Sequence, residues 1–286
     1  MGGKRIDESW AGWLQENLQR GCNPEELLGI LLQNAFDVRS IREAMGPRYP
    51  AHSPLALAAE HRLPDPVDLR AIANPRLTRP ESGAKQFETD KLQLFRLPGF
   101  LSNDECDEIV AIIERNLRPS TVTIPSPDKA FRTSRTSDLS LLNSPVVARL
   151  DEKIATTVGI HPSYSEGIQA QRYEVGGEFK AHTDYFEPGT AEYAEFAGAR
   201  GNRTWTFMVY LNDVASGGGT RFFAIDHVFA PIKGTAIAWN SLRNDGTVNP
   251  DTLHAGMPVA EGHKTIITKW FRERGTGPML MEDTQR

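Results

Sequence analysis

Two residues at a spacing of two, His182 and Asp184, carry the clearest chemistry in this chain. On an extended strand such neighbours point to the same side. His182-Thr183-Asp184 would then present an imidazole and a carboxylate together. With a second imidazole from elsewhere, this is the ligand set of a non-heme Fe(II) oxygenase site that leaves coordination positions open. On its own the motif is short, and it also occurs on solvent-facing strands. A third ligand has to come from another part of the chain.

The other histidines differ in how well they could serve. His52 and His61 sit among prolines and His161 precedes one, poor places for a ligand on a rigid frame. His227 and His263 flank strand-like runs and stay open as alternatives. His254 is favoured by Lys264, which follows it by ten residues on an apolar stretch with Ile266, Ile267, Trp270 and Phe271. A lysine there is costly to bury unless it meets an anion. A dicarboxylate co-substrate would supply that anion. The plain alternative is a lysine at a strand mouth that reaches solvent.

These side chains need a scaffold, and the chain has material for one. Its 286 residues allow one large β domain with an appendage, or two domains. A hydrophobic content of 39% and a charged content of 24% are those of an ordinary globular protein. The formal charge of −5, with Lys and Arg scattered, argues against a nucleic-acid partner. Cys22 and Cys106 are far apart and read as free buried thiols in a reducing compartment. The N-terminal residues show no apolar signal region and no stretch approaches membrane-spanning length. A soluble, cytoplasmic protein with no membrane partner is the expectation.

Residues 7–45 read as helices. Trp10, Trp13, Leu14 and Leu18 recur at helical spacing, and Asn23-Pro24-Glu25-Glu26 is a cap with proline at the first helical position. Leu27, Leu28, Leu31 and Leu32 give the next apolar face, and Asp37 caps a third helix with Val38, Ile41 and Met45. Such a unit is a candidate surface for homodimerisation or partner docking, and equally a cap on the main domain. Seven prolines between 47 and 80 predict a wrapping linker, with one helical turn near Leu55 to Glu60. Phe87 to Leu97 reads as a strand. Helices follow from Ser102 and over Pro145 to Val158, separated by a polar loop from Pro119 to Asp138. After Pro162 short strand-like runs appear at Ile168–Tyr173, Thr204–Leu211, Thr220–Phe223, Gly234–Trp239 and Thr265–Phe271. Their spacing suggests a sandwich or barrel.

From about Leu92 to Arg274 the chain resembles the prolyl 4-hydroxylase group of the Fe(II)/2-oxoglutarate-dependent dioxygenases. Phe100 to Cys106, Arg132-Thr133-Ser134 and Gln171-x-Tyr173-x-x-Gly176 recur in that order, the last leading into His182-x-Asp184-Tyr185-Phe186. Arg203-x-x-Thr206 then leads into Tyr210-Leu211-Asn212-Asp213, and Gly217 to Thr220 precedes a phenylalanine. His254-Ala255-Gly256-x-Pro258-Val259-x-x-Gly262-x-Lys264 closes the set and runs on to Trp270. The ordered set is specific where each piece alone is modest.

The resemblance implies a mainly β fold with flanking helices: a double-stranded β-helix (jelly roll, cupin-like) core beside the small N-terminal helical module. It implies that His182, Asp184 and His254 hold Fe(II), and that Lys264 binds the distal carboxylate of 2-oxoglutarate with help from Tyr173 and Thr220. Trp270 would line that pocket, while Arg203, Glu166 and Arg132 match substrate-contact positions. O2 is the other co-substrate and ascorbate a reductant. The expected reaction is hydroxylation of a prolyl residue in a polypeptide, with a free amino acid or natural-product intermediate as the alternative. The domains implied are a helical module at 1–46, a Pro-rich linker at 47–86, the dioxygenase domain at 87–276 and a tail at 277–286.

Three positions depart from the family pattern. Gly219 stands where glutamate is common and Thr265 where tryptophan is common. Phe179 stands where a substrate-contacting tyrosine is frequent, so the metal site carries over better than the substrate. Two competing classes weigh against the oxygenase. A non-enzymatic β-sandwich binding protein leaves the His, Asp and Lys pattern as coincidence. A zinc hydrolase with the same triad is opposed by Lys264 and by the lack of an evident general base.

Overall fold

The structure, a computed structural model, describes residues 4–34, 36–51, 56, 72–73, 75–120, 131–142, 144–198, 200–276 and 278–281. It contains two compact units, 1–67 with 198–200 and 68–197 with 201–286. In the first unit, α1 (Glu8–Gln19), α2 (Pro24–Gln33) and α3 (Val38–Met45) each start where an Asx side chain accepts a first-turn N–H: Asp7, Asn23 and Asp37. Leu14, Leu18, Leu28, Leu31, Ile41 and Met45 bury their side chains in one cluster. The helical turn expected near Leu55 to Glu60, like His52 and His61, lies outside the described residues apart from helical Ala56. No helix among the described residues is long and apolar enough to cross a membrane.

The second unit is mainly β. Its strands are β1 (Lys85–Gln86), β2 (Leu94–Leu97), β3 (Arg118–Pro119), β4 (Arg135–Asp138), β5 (Gln169–Tyr173), β6 (Phe179–His182) and β7 (Arg203–Tyr210). They continue as β8 (Ser216–Gly217), β9 (Thr220–Phe222), β10 (His227–Phe229), β11 (Ala236–Asn240), β12 (His254–Gly256), β13 (Val259–Glu261) and β14 (Lys264–Arg272). An eight-stranded sheet runs β1-β2-β11-β7-β14-β5-β4-β3, and a four-stranded sheet runs β10-β9-β12-β6. Leu94, Tyr210, Ile237, Trp239 and Ile266 of the large sheet share one core with Phe222 and Phe229 of the small one. Two antiparallel sheets closed on a common core are the jelly roll that the sequence led us to expect. Among the described residues, its two longest helices flank it. One, α4 (Asn103–Glu114), opens with the capping box of Ser102 and Glu105; the other, α5 (Pro145–Val158), ends at left-handed Gly159.

The structure also corrects local expectations. Phe87 to Leu97 is not one strand: β1 and β2 form a hairpin with Gln86 opposite Phe95. The polar stretch expected as a loop contains β4, whose Thr136 and Ser137 are buried against β5. A strand that buries hydroxyls hides the alternation used to find strands. Of the expected free thiols, Cys106 is buried, and burial pushes its pKa up to about 11. Cys22 is half-buried.

Candidate active site

The ladder between β6 and β12 sets His182 directly opposite His254. Both rings leave the small sheet toward the large one, 4.3 Å apart between centroids. Asp184 follows two residues later, with its Oδ1 3.9 Å from His182 Nε2. One donor atom from each of the three lies within 4.8 Å of the others. The strand expected to carry both His182 and Asp184 ends at His182, so Asp184 reaches the cluster from a bend.

Hydrogen bonds fix which atoms remain available. The Nδ1 of His182 bonds the Lys180 carbonyl at 2.7 Å and that of His254 bonds the Thr252 carbonyl at 2.9 Å. A carbonyl can only accept, so each Nδ1 carries a proton, and in the neutral ring each Nε2 keeps its lone pair. The Thr206 hydroxyl donates to Asp184 Oδ2 at 2.7 Å, which leaves Oδ1 toward the histidines. Burial, then the His254 ring, push the His182 pKa well below its ordinary value. Burial would raise the Asp184 pKa, but His254, His182, Arg203 and the Thr206 hydroxyl together hold it down. Two imidazole nitrogens and one carboxylate oxygen on one face suit a 2-His-1-carboxylate metal centre. The aromatic packing is tight: Phe179 stacks on His182 at 3.6 Å, and Phe222 and Trp239 flank His254.

The triad opens into a cavity whose other wall is the large sheet. Lys264, Ile266, Thr268 and Trp270, alternate residues of β14, line it, as do Gln171 and Tyr173 of β5. Lys264 is 1% exposed and sits opposite Tyr173 in the ladder, with its Nζ 4.6 Å from the centre of that ring. Burial alone lowers its pKa to about 8, with no described acid offsetting it. A Cβ at Gly256 would stand 3.3 Å from Nζ, so glycine there leaves room for the ammonium head. Thr220, on the small sheet, hydrogen-bonds the Tyr210 hydroxyl at 2.7 Å, which also reaches the Phe229 carbonyl at 3.2 Å. Lys264, Tyr173, Thr220, Trp270 and the triad therefore share one cavity.

The residues expected at the substrate side are placed differently. Arg132 lines the cavity, lies 4.9 Å over the Phe179 ring and bonds Ser134 and Gln169 at 3.1 Å each. Arg203 and Glu166 instead form a mostly buried bidentate pair at 2.7 and 2.8 Å, with Arg272 on the same carboxylate at 2.8 Å. The Arg203 guanidinium lies 4.1 Å over the Trp270 ring. Burial raises the Glu166 pKa, but the two arginines outweigh it and hold it at about 2. That stability is present above the ordinary value of 4.5 and is lost as pH falls from there toward about 2. Glu166→Gln is expected to destabilise by about 3–5 kcal/mol at neutral pH, because it removes the carboxylate that two buried guanidiniums share. Chemical denaturation at pH 7 and pH 3 checks this, since the deficit should shrink by about 2 kcal/mol at the lower pH.

Sequence reasoning gave Thr206 and Tyr210 no role beyond motif membership. Their signal is positional: both lie on β7, an even number of residues apart, and so face the cavity side together.

Comparison with known proteins follows the same line. Residues 168–272 match the family model described as the 2OG-Fe(II) oxygenase superfamily. Prolyl 4-hydroxylase subunit alpha-1 of Gallus gallus is 33% identical over 192 residues, covering 66% of this chain and 37% of that protein. The Homo sapiens subunit alpha-1 is 32% identical over the same length, covering 66% and 36%. The chain thus spans little more than a third of the length of these curated relatives. A viral collagen prolyl hydroxylase from Paramecium Bursaria Chlorella virus-1, solved with 2OG, aligns with TM-score 0.50 at 26% identity over 63% of this chain and 95% of that one. A Trichoplax adhaerens prolyl hydroxylase, solved with a hypoxia inducible factor peptide fragment, shares the fold at TM-score 0.50 and 13% identity, over 63% and 83% of the two chains.

Proposed function

We propose, from the match of residues 168–272 to the 2OG-Fe(II) oxygenase superfamily, that the chain is an Fe(II)- and 2-oxoglutarate-dependent hydroxylase acting on a prolyl residue in a polypeptide. The observation that carries this reading is one cavity with a His-Asp-His triad on one wall and an uncompensated buried lysine on the other. A binding module would have no use for that pair of features, and a zinc hydrolase would have no use for the lysine.

The donor set fits Fe(II): both Nε2 atoms and Asp184 Oδ1 are left by the hydrogen bonds for His182, His254 and Asp184 to hold it. With 2-oxoglutarate and O2, the bound iron supplies oxidative decarboxylation to succinate and CO2 and the hydroxylation of a C–H bond. The protein's own groups do the rest. Lys264 holds the distal carboxylate of the oxo acid, and the Thr220 hydroxyl in the same cavity donates to it. Tyr173 and Trp270 close the pocket around it. Arg132 and Phe179 face the substrate side of the cavity. Arg203 and Glu166 support Trp270 from behind. Ascorbate serves as reductant between turnovers.

Purified protein incubated with Fe(II), ascorbate, 2-oxoglutarate and a proline-rich peptide is expected to release succinate and leave hydroxyproline by mass spectrometry. Succinate release with free amino acids but with no peptide would move the substrate to the alternative class. No succinate above a His182→Ala control with any substrate would sink the reading. Phe179→Tyr should leave metal affinity unchanged, because the ring keeps its stack on His182. Only the KM for substrate should move, and a titration with Mn(II) beside peptide kinetics separates the two.

A further inference from the structure

The three ligands are not held alike. His182 and His254 are ladder partners, so the sheet sets their spacing. Asp184 lies beyond the end of β6, in a bend that runs through residue 185. Its segment is held instead by side chains at, and just before, the start of β7. Asn202 is 2% exposed, and both its amide oxygen and its amide nitrogen are hydrogen-bonded. The Phe186 N–H donates to Asn202 Oδ1 at 2.8 Å, the Arg203 N–H donates to the same oxygen at 2.9 Å, and Asn202 Nδ2 donates to the Phe186 carbonyl at 2.9 Å. The amide thus reproduces the paired donor and acceptor of a strand, on a segment that no strand accompanies. The Asn202 carbonyl accepts from the Glu273 N–H at 3.1 Å, which anchors it next to β14. Arg203 adds a long bond to the Asp184 carbonyl at 3.4 Å and lies 4.9 Å over the Phe186 ring.

We propose that Asn202 is a positioning residue of the metal centre: by pairing with Phe186 it fixes the turn that carries Asp184, and so where the carboxylate meets a cation held by the two histidines. The inference rests on the hydroxylase reading, which makes the triad a metal site. Two consequences separate this role from simple core filling. Groups that orient a ligand tune metal affinity, by roughly 10- to 100-fold per group. A group that only fills the core lowers stability and leaves the affinity of the folded protein unchanged.

The test is a titration of metal-free wild type, Asn202→Ala and Asn202→Asp with Mn(II), read by the fall in free Mn(II) signal, with circular dichroism confirming the fold. Asn202→Asp keeps the oxygen that accepts from Phe186 but turns a second oxygen on the Phe186 carbonyl. Both variants are expected to bind Mn(II) about 10- to 100-fold more weakly. At saturating Mn(II), their affinity for 2-oxoglutarate should return to the wild-type value, because Lys264 and Thr220 are untouched. Folded variants with wild-type Mn(II) affinity overturn the proposal. If Asn202→Ala does not fold, Asn202→Asp decides; if neither folds, Asn202 is a folding residue and the proposal fails. A wild type that binds no Mn(II) removes the hydroxylase reading itself and this inference with it.

Discussion

His182→Ala and His254→Ala are each expected to abolish succinate release and to weaken Mn(II) binding by more than about 100-fold, yet only the second should unfold much more easily. The shared loss follows from the donor set. Removing an outer hydrogen-bond partner already costs roughly 10- to 100-fold in affinity, and these variants remove a donor nitrogen itself. The difference follows from packing. His254 is 5% exposed and fits between Phe222 at 5.3 Å and Trp239 at 4.9 Å, so its truncation leaves a hole between two aromatic rings. A loss of about 2–4 kcal/mol is expected there, as for other large-to-small core changes. His182 lies on β6, an edge strand of the small sheet, with 15% of its side chain exposed. Its truncation opens toward the cavity and should cost about 1 kcal/mol. Metal titration and urea denaturation of the two metal-free variants, run together, give ligation and packing separately. A His182→Ala protein that binds Mn(II) as tightly as wild type would remove the triad from consideration.

How far the site could be read in advance depended on whether its geometry follows chain periodicity. The cavity wall on β14 does: Lys264, Ile266, Thr268 and Trp270 alternate with buried outward residues, and Lys264 was visible as a lysine on an apolar strand. The His182 and Asp184 pair was also visible, although the strand that was expected to align them stops at His182. His254 was reached through its distance from Lys264, without any sign that β12 and β14 belong to different sheets. Arg203 and Glu166 had no local signal at all. They are 37 residues apart and their third partner, Arg272, is 106 from Glu166. Only sheet pairing brings them into one ion cluster. The same holds for the hydroxyls that finish the site. Thr206 reaches Asp184 across 22 residues and Tyr210 reaches Thr220 across a strand reversal, contacts that depend on how the two sheets close. β4 stayed hidden for a simpler reason, since its buried side chains are hydroxyls.

Lys264→Met is expected to raise the stability of the protein without co-substrate while raising the KM for 2-oxoglutarate by roughly 150- to 4,000-fold. Both signs come from one fact. The ammonium is 1% exposed, and burial alone brings its pKa from 10.5 to about 8. The drop corresponds to about 3 kcal/mol by which folding disfavours the charged form. Methionine has nearly the same length and no charge, so it removes that penalty when the pocket holds no anion. A bound dicarboxylate reverses the balance, because its distal carboxylate is then buried with nothing opposite it, a loss of about 3–5 kcal/mol. The pH dependence follows with a definite sign. Between about 8 and 10.5 the folded lysine has lost its proton and the unfolded one has kept it. The unfolded state binds more protons there, so wild-type stability without co-substrate rises with pH across that window. Co-substrate binding needs the charged form, so the KM for 2-oxoglutarate should be flat below about 8 and rise about tenfold per pH unit above it. Lys264→Met should show neither trend. Thermal unfolding and 2-oxoglutarate kinetics from pH 7 to 10 measure both. A variant with wild-type KM, or a wild type whose KM ignores pH, would take the anion clamp away from Lys264 and leave the buried ammonium without a purpose.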